Sequence, residues 1–241
     1  MTALSTHPRH STADNPNHDS RGPASVSSIF LRPIATPLPI GMIALAVGSL
    51  VLAGLQLSWI TTAQGHMVAL CLLAFVVPLQ LVSFVFGYLS RDEGTASALG
   101  TLSGTWFAIG LVLLGSAPGS TSGALGLLLI AATGALLVPV AVSTASKPLI
   151  AAVFAVTALR FLLSGIYQLT GGTGWHTAAG VTGLVVVALA WYAAMAFALE
   201  AGRRKAVLPV FRRSGHAGPD PSSGDDPIGP VTHDAAVRSQ L

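Results

Sequence analysis

The chain of 241 residues alternates long apolar blocks with short polar breaks. Six blocks, at 38–57, 66–89, 96–116, 122–142, 149–169 and 176–199, each run about twenty residues, the length at which an α-helix crosses the roughly 30 Å hydrocarbon core of a bilayer. The breaks, such as SAPGSTSG at 116–123, STASKP at 143–148 and LTGGTG at 169–174, are made of turn-forming Gly, Ser and Pro. The pattern predicts an all-α integral membrane protein with six transmembrane helices in one domain, 33–210. Residues 1–29 and 214–241 are rich in Ser, Pro, His, Gly and Asp and carry too little apolar surface to offset chain entropy, so both are expected to be disordered cytoplasmic tails. The first tail has no apolar block ahead of a small-residue cleavage site, which leaves targeting to the first membrane helix.

Composition agrees: 52% of residues are hydrophobic and only 9% charged, against about a quarter charged in soluble domains. Lysine and arginine then set the orientation through the positive-inside bias. They fall in the N-terminal tail (Arg9, Arg21, Arg32), the second loop (Arg91), the fourth (Lys147) and after the last span (Arg203, Arg204, Lys205), while the first, third and fifth loops have none. Both termini are therefore predicted to be cytoplasmic, and an even number of spans is required. Trp59, Tyr167 and Trp175 fall at expected outer ends and Tyr88 at an inner one, as an aromatic belt would place them. The basic excess serves topology or anionic lipid and calls for no nucleic acid. The one cysteine, Cys71, lies in an apolar run and is expected in the core.

Small and polar residues inside the spans carry more. Ala96, Gly100, Gly104 and Ala108 recur every four residues on one helix face, a packing surface or the lining of a narrow passage. Pro78 and Pro139 interrupt two spans and favour kinks. Most intramembrane Ser and Thr, including Ser103, Thr105, Thr157 and Ser164, can bond back to their own helix and singly say little. Trp106 sits mid-span, where its indole N–H needs an acceptor, and is placed at a path or a helix interface. Arg160, in FAVTALRFLLSG at 154–165, is the one full charge expected near the bilayer centre. Leaving it uncompensated costs at least about 2.5 kcal/mol. Three readings stay open: it faces a solute path, it sits at a subunit interface, or it snorkels.

Several motifs resemble those of a known family. TPLPIGM at 36–42 is similar to the N-P-x-P-L-G-L signature that opens the first span of the acetate uptake transporters. SGTWF at 103–107 is similar to their Y-G-S-F-W, residues 174–199 to their last span, and VLPV at 207–210 to the V-L-P that follows it. The chain is identified as a divergent member of that family, of GPR/FUN/YaaH type. The resemblance implies a six-helix protomer around its own path, a hexameric homo-oligomer in the plasma membrane, and proton-coupled uptake of small monocarboxylates: acetate, with succinate or related acids. The family's narrowing residues align with Leu45, Ser103 and Thr157 here, so the bulky gate is small and more polar. Either the substrate is larger or more polar, or Trp106 supplies the constriction.

The expected substrate path therefore takes in Pro37, Pro39, Gly41, Leu45, Ser103, Gly104, Thr105, Trp106, Thr157 and Arg160. The helix start at Pro37 and Pro39 either offers free amides to a carboxylate or is an ordinary proline start. Asp92, Glu93, Glu200, His66 and His176 fall at span ends, so no buried acid is expected to relay protons, and the solute crosses as neutral acid or as an anion that gains a proton. Two other classes stay open: a channel for a small neutral solute such as urea or ammonia, and a non-transporting scaffold or sensor. No metal or nucleophile motif points to an enzyme, no cofactor is expected, and the tail histidines His7, His10 and His18 have no scaffold to hold a metal.

Overall fold

A computed structural model describes residues 36–203 together with 208 and 209, so both expected tails lie outside the described residues. The six apolar blocks form six helices long enough to span a bilayer. The first is α1 (Leu38–Gln56). The second joins a 3-10 turn (Thr62–Gln64), α2 (Gly65–Cys71), a π-helical segment (Leu72–Val76) and α3 (Val77–Leu89). The remaining four are α4 (Glu93–Gly115), α5 (Gly123–Ser146), α6 (Pro148–Thr170) and α7 (Thr173–Arg203).

Boundaries shift from the expected ones where caps outweigh hydropathy. α4 starts three residues early because Asp92 caps it, its carboxylate accepting from Thr95 N at 3.3 Å. α6 ends at Gly171, whose φ of 70° is the left-handed C-cap conformation, and α7 begins two residues on. Pro78 does not break its span. The Val77 N–H reaches the Leu72 carbonyl, and this wider turn absorbs the hydrogen bond that Pro78 cannot donate. Pro139 lies inside a continuous α5.

Each span packs on the spans before and after it, and α7 lies along α1, so the six close into a ring. α5 and α6 meet most closely at Gly126 and Gly165, where a Cβ on either would lie 3.1 or 3.0 Å from the other's carbonyl oxygen. α1 and α6 are the most enclosed spans. Large apolar side chains such as Leu50, Phe75, Val85, Leu111, Leu127, Val138 and Met195 point outward, a surface that lipid covers and water would not. Trp59 and Trp175 are exposed at one end of the bundle and Tyr88 at the other.

Two expectations fail. Cys71 is exposed rather than in the core: in a membrane helix the lipid side is as apolar as the interior, so an apolar run does not imply burial. Tyr167 does not join the belt but turns inward, its ring 4.2 Å from that of His176. The small-residue stripe on α4 splits. Ala96 packs on Gly87 and Gly100 on Phe84, whereas a Cβ on Gly104 would meet nothing within 4 Å.

Gly165→Val is expected to push α5 from α6 and lower stability by about 1–3 kcal/mol, the range for overpacking. Gly104→Ala should stay within roughly 0.5 kcal/mol, as surface changes do. Thermal unfolding of both variants in detergent checks the contrast.

Candidate functional site

The charges of the described residues are distributed unevenly. Arg91, Asp92, Glu93, Lys147 and Glu200 gather at one end of the bundle, and Lys147 pairs with Asp92 there. The opposite end has no lysine, arginine or carboxylate in its loops 57–64, 116–122 and 171–172. A cavity of about 100 Å³ opens there, lined at its mouth by Thr62, His66, Ser120, Tyr167 and His176. A single water needs about 10–15 Å³ of such space, so the cavity admits several waters or one small solute. Gln168 shapes its rim by accepting from Ser122 N, the cap of α5, at 2.7 Å.

The cavity floor is mainly apolar, from Leu52, Ile109, Leu129 and Phe161, with Gln56 and Ser164 as its polar members. Those two lead inward. Gln56 Nε2 donates to Ser164 Oγ at 3.2 Å, and Gln56 Oε1 accepts from Arg160 Nη2 at 3.3 Å. Arg160 is 0% exposed. Its guanidinium carbon lies 5.6 Å from the Trp106 ring centre, a cation–π contact, and Trp106 meets Phe161 edge to face at 5.9 Å. α7 walls the other side through Gly183, where a Cβ would sit 3.0 Å from Arg160 Cζ and Nε. Only a residue without a side chain leaves the guanidinium this space.

The hydrogen-bond balance at this point is lopsided. Arg160 Nε and Nη1 and Trp106 Nε1 are buried with no partner among the described residues. Arg160 has no carboxylate partner among them either. A buried charge held by one neutral amide and one aromatic face is under-compensated, since buried charges are ordinarily paired and fully hydrogen-bonded.

The other expected path residues divide. Leu45, Ser103, Thr105 and Thr157 are buried, but their hydroxyls are spoken for: Ser103 donates to the Val77 carbonyl at 3.2 Å, Thr105 to Thr101 at 2.7 Å and Thr157 to Val153 at 2.7 Å. Gly41 is packed solid, its Cβ position 2.8 Å from Leu99 Cδ2. Gly104 lies on the outward stripe with Phe107, Leu111 and Leu114, away from Arg160. At the start of α1, Leu38 N–H faces Thr36 Oγ1 at 3.5 Å, Pro39 has no N–H, and Gly41 N–H bonds the Pro37 carbonyl at 3.1 Å. Three of the first four helix positions thus have no free amide, which removes most of the anion site considered at Pro37 and Pro39. Gln56, Phe161 and Gly183 were not among the expected residues, and Ser164 had seemed uninformative. An amide in the last turn of an apolar span was the one signal that pointed to Gln56.

The model of the GPR1/FUN34/yaaH family matches residues 21–212. The solved "Structure of the bacterial acetate channel SatP" has a similar fold: TM-score 0.65 and 20% identity, over 73% of this chain and 98% of that one. Among curated proteins none matches in sequence.

Replacing Arg160 by Met, similar in length and uncharged, is expected to leave thermal stability unchanged or raised, because it removes an under-compensated buried charge. Gln56→Leu should lower it by about 1–3 kcal/mol, since the guanidinium then loses its hydrogen bond. The two unfolding midpoints, compared with that of the wild type, check the opposite signs.

Proposed function

Since the chain belongs to the GPR1/FUN34/yaaH family, we propose that it carries short monocarboxylates, acetate foremost, across the plasma membrane, with Arg160 as the anion-binding station. The observation that carries this reading is the donor-only character of the site: Arg160 Nε, Arg160 Nη1 and Trp106 Nε1 all offer N–H and lack an acceptor. A carboxylate is acceptor-only, with two oxygens, and supplies the negative charge as well. Urea brings four N–H groups that would find no free acceptor beside the guanidinium, which sets the neutral-solute reading second.

In the proposed route the cavity faces outward, both termini face the cytoplasm, and the charged end of the bundle lies inside, as the positive-inside bias requires. The solute enters past His66 and His176, crosses the apolar floor, and exchanges water for Gln56 and Ser164. It is then drawn behind the Trp106–Phe161 pair to Arg160 by a charge-assisted hydrogen bond. Release requires that this well be shallow. Gln56 and the Trp106 ring, which hold the guanidinium at rest, recover it as the anion leaves. The Trp106–Phe161 pair takes the place of the bulky gate expected at Leu45, Ser103 and Thr157. Proton coupling, a hexameric assembly of such protomers and acceptance of succinate complete the proposal, supported by the family resemblance.

Proteoliposomes holding the wild type are expected to accumulate radiolabelled acetate under an inward proton gradient, and Arg160→Met to fall to the background of empty vesicles. Wild-type acetate flux through Arg160→Met would sink this reading. Passive equilibration of urea without acetate uptake would put the neutral-solute channel in its place, and passage of neither would leave a scaffold.

A further inference from the structure

Two more buried polar side chains lie near Trp106: Ser49 beside it, and Gln80 nearer the charged end. Gln80, on α3, is 0% exposed, and neither its amide nitrogen nor its amide oxygen has a partner among the described residues. Ser49, on α1, is 0% exposed with its hydroxyl equally unpaired. Ser49 is unusual among the intramembrane hydroxyls: Ser83, Thr101, Thr105, Thr133, Thr157 and Thr182 each bond the carbonyl four residues back, as this residue type does inside helices.

The two lie on facing helices, offset by five residues, or about 7.5 Å, along the bundle axis. A Cβ on Gly41 would lie 3.3 Å from Ser83 Cβ, and one on Gly48 would lie 3.1 Å from the Val76 side chain. α1 and the second span therefore run antiparallel in a fixed register, which sets Gln80 opposite Ala44. Helical side chains lean toward their own N-terminus. Gln80 leans toward Ser49 and Ser49 toward Gln80, because their helices point in opposite directions. Trp106 adjoins the Ser49 end of this stretch, its Cε2 atom 3.5 Å from the Cβ position of Gly48.

We propose that Ser49 and Gln80 form a second station, which receives the carboxyl group in its protonated form after it leaves Arg160. This rests on the reading of Arg160 as the anion station. The chemistry of the two stations differs in kind. Arg160 and Trp106 present donors only, which suits RCOO⁻. Gln80 presents one donor edge and one acceptor, which together match the C=O and O–H of RCOOH, and Ser49 adds a hydroxyl of either sense. Between the stations the solute takes one proton from hydronium entering by the cavity, RCOO⁻ + H₃O⁺ → RCOOH + H₂O, so one proton crosses with each carboxyl group. No side chain need relay it, and Arg160 keeps its charge throughout. Moving as the neutral acid also spares the solute the cost of carrying a bare charge through the apolar interior of the bundle.

The test uses Gln80→Leu in the full chain, because removing an unpaired buried amide should leave the fold as stable as the wild type or more so. Three quantities are measured with acetate as the probe: equilibrium binding to detergent-purified protein, flux into proteoliposomes, and the unfolding midpoint. The expected result is binding unchanged, flux reduced about ten-fold, the size of one hydrogen-bonded step in a rate, and a midpoint equal or higher. Ser49→Ala should show the same pattern more weakly, and wild-type flux should carry one proton per acetate. Wild-type flux through Gln80→Leu, or loss of binding together with flux, would overturn the second station. A wild type that neither binds nor carries acetate would overturn the Arg160 reading and this one with it.

Discussion

A positive charge buried in a low-dielectric bundle without a negative partner is the constraint around which the described structure is organised. Arg160 is wholly enclosed, and isolated charges at such depth are costly enough that membrane helices rarely keep them without a function. What surrounds it offsets only part of the cost. One amide oxygen accepts from it and one indole ring faces it. Nearby packing leaves room for it rather than holding it, since Gly183 alone provides the space its guanidinium fills. On the proposed reading, an incoming acceptor-only anion supplies the charge and the hydrogen bonds that these surroundings leave out.

The ring of six spans explains how such a site comes to lie next to the cavity. Sequential packing puts α1, α4 and α6 side chains into one interior, where Gln56, Trp106, Phe161 and Ser164 converge although they are distant in sequence. The cavity joins this interior at its uncharged end, and Lys147 and Asp92 tie α4 to the α5–α6 junction at the other. A solute entering by the cavity meets neutral polar groups before the single charge. The order suits attraction without trapping.

The spans were legible because bilayer crossing demands long apolar runs, and Arg160 stood out because charge contrasts with such runs. Trp106 was singled out for the same reason: an indole away from the interface needs a partner. Gln56 and Gln80 passed unnoticed because neutral amides barely disturb an apolar block and their importance lies in what they lack as partners. Periodicity misled at Gly104, since it reports a shared helix face but not which face looks inward, and hydropathy misled at Cys71, since it does not separate a lipid-facing position from a core one. The cavity was beyond sequence altogether, because it is made by loop 116–122 meeting the ends of all six spans. The early start of α4 and the end of α6 follow from a capping carboxylate and a left-handed glycine, local effects that a hydropathy window averages away.

The claim that Arg160 is held ready for a carboxylate is tested most directly by ligand-linked stability. A ligand that binds only the folded protein stabilises it by about 2.7 kcal/mol at a hundred times its dissociation constant. Detergent-purified protein is heated at neutral pH in rising acetate, with chloride and urea at matched concentrations as controls. The account predicts that acetate alone raises the unfolding midpoint and that the rise vanishes in Arg160→Met. An equal rise in Arg160→Met would contradict it.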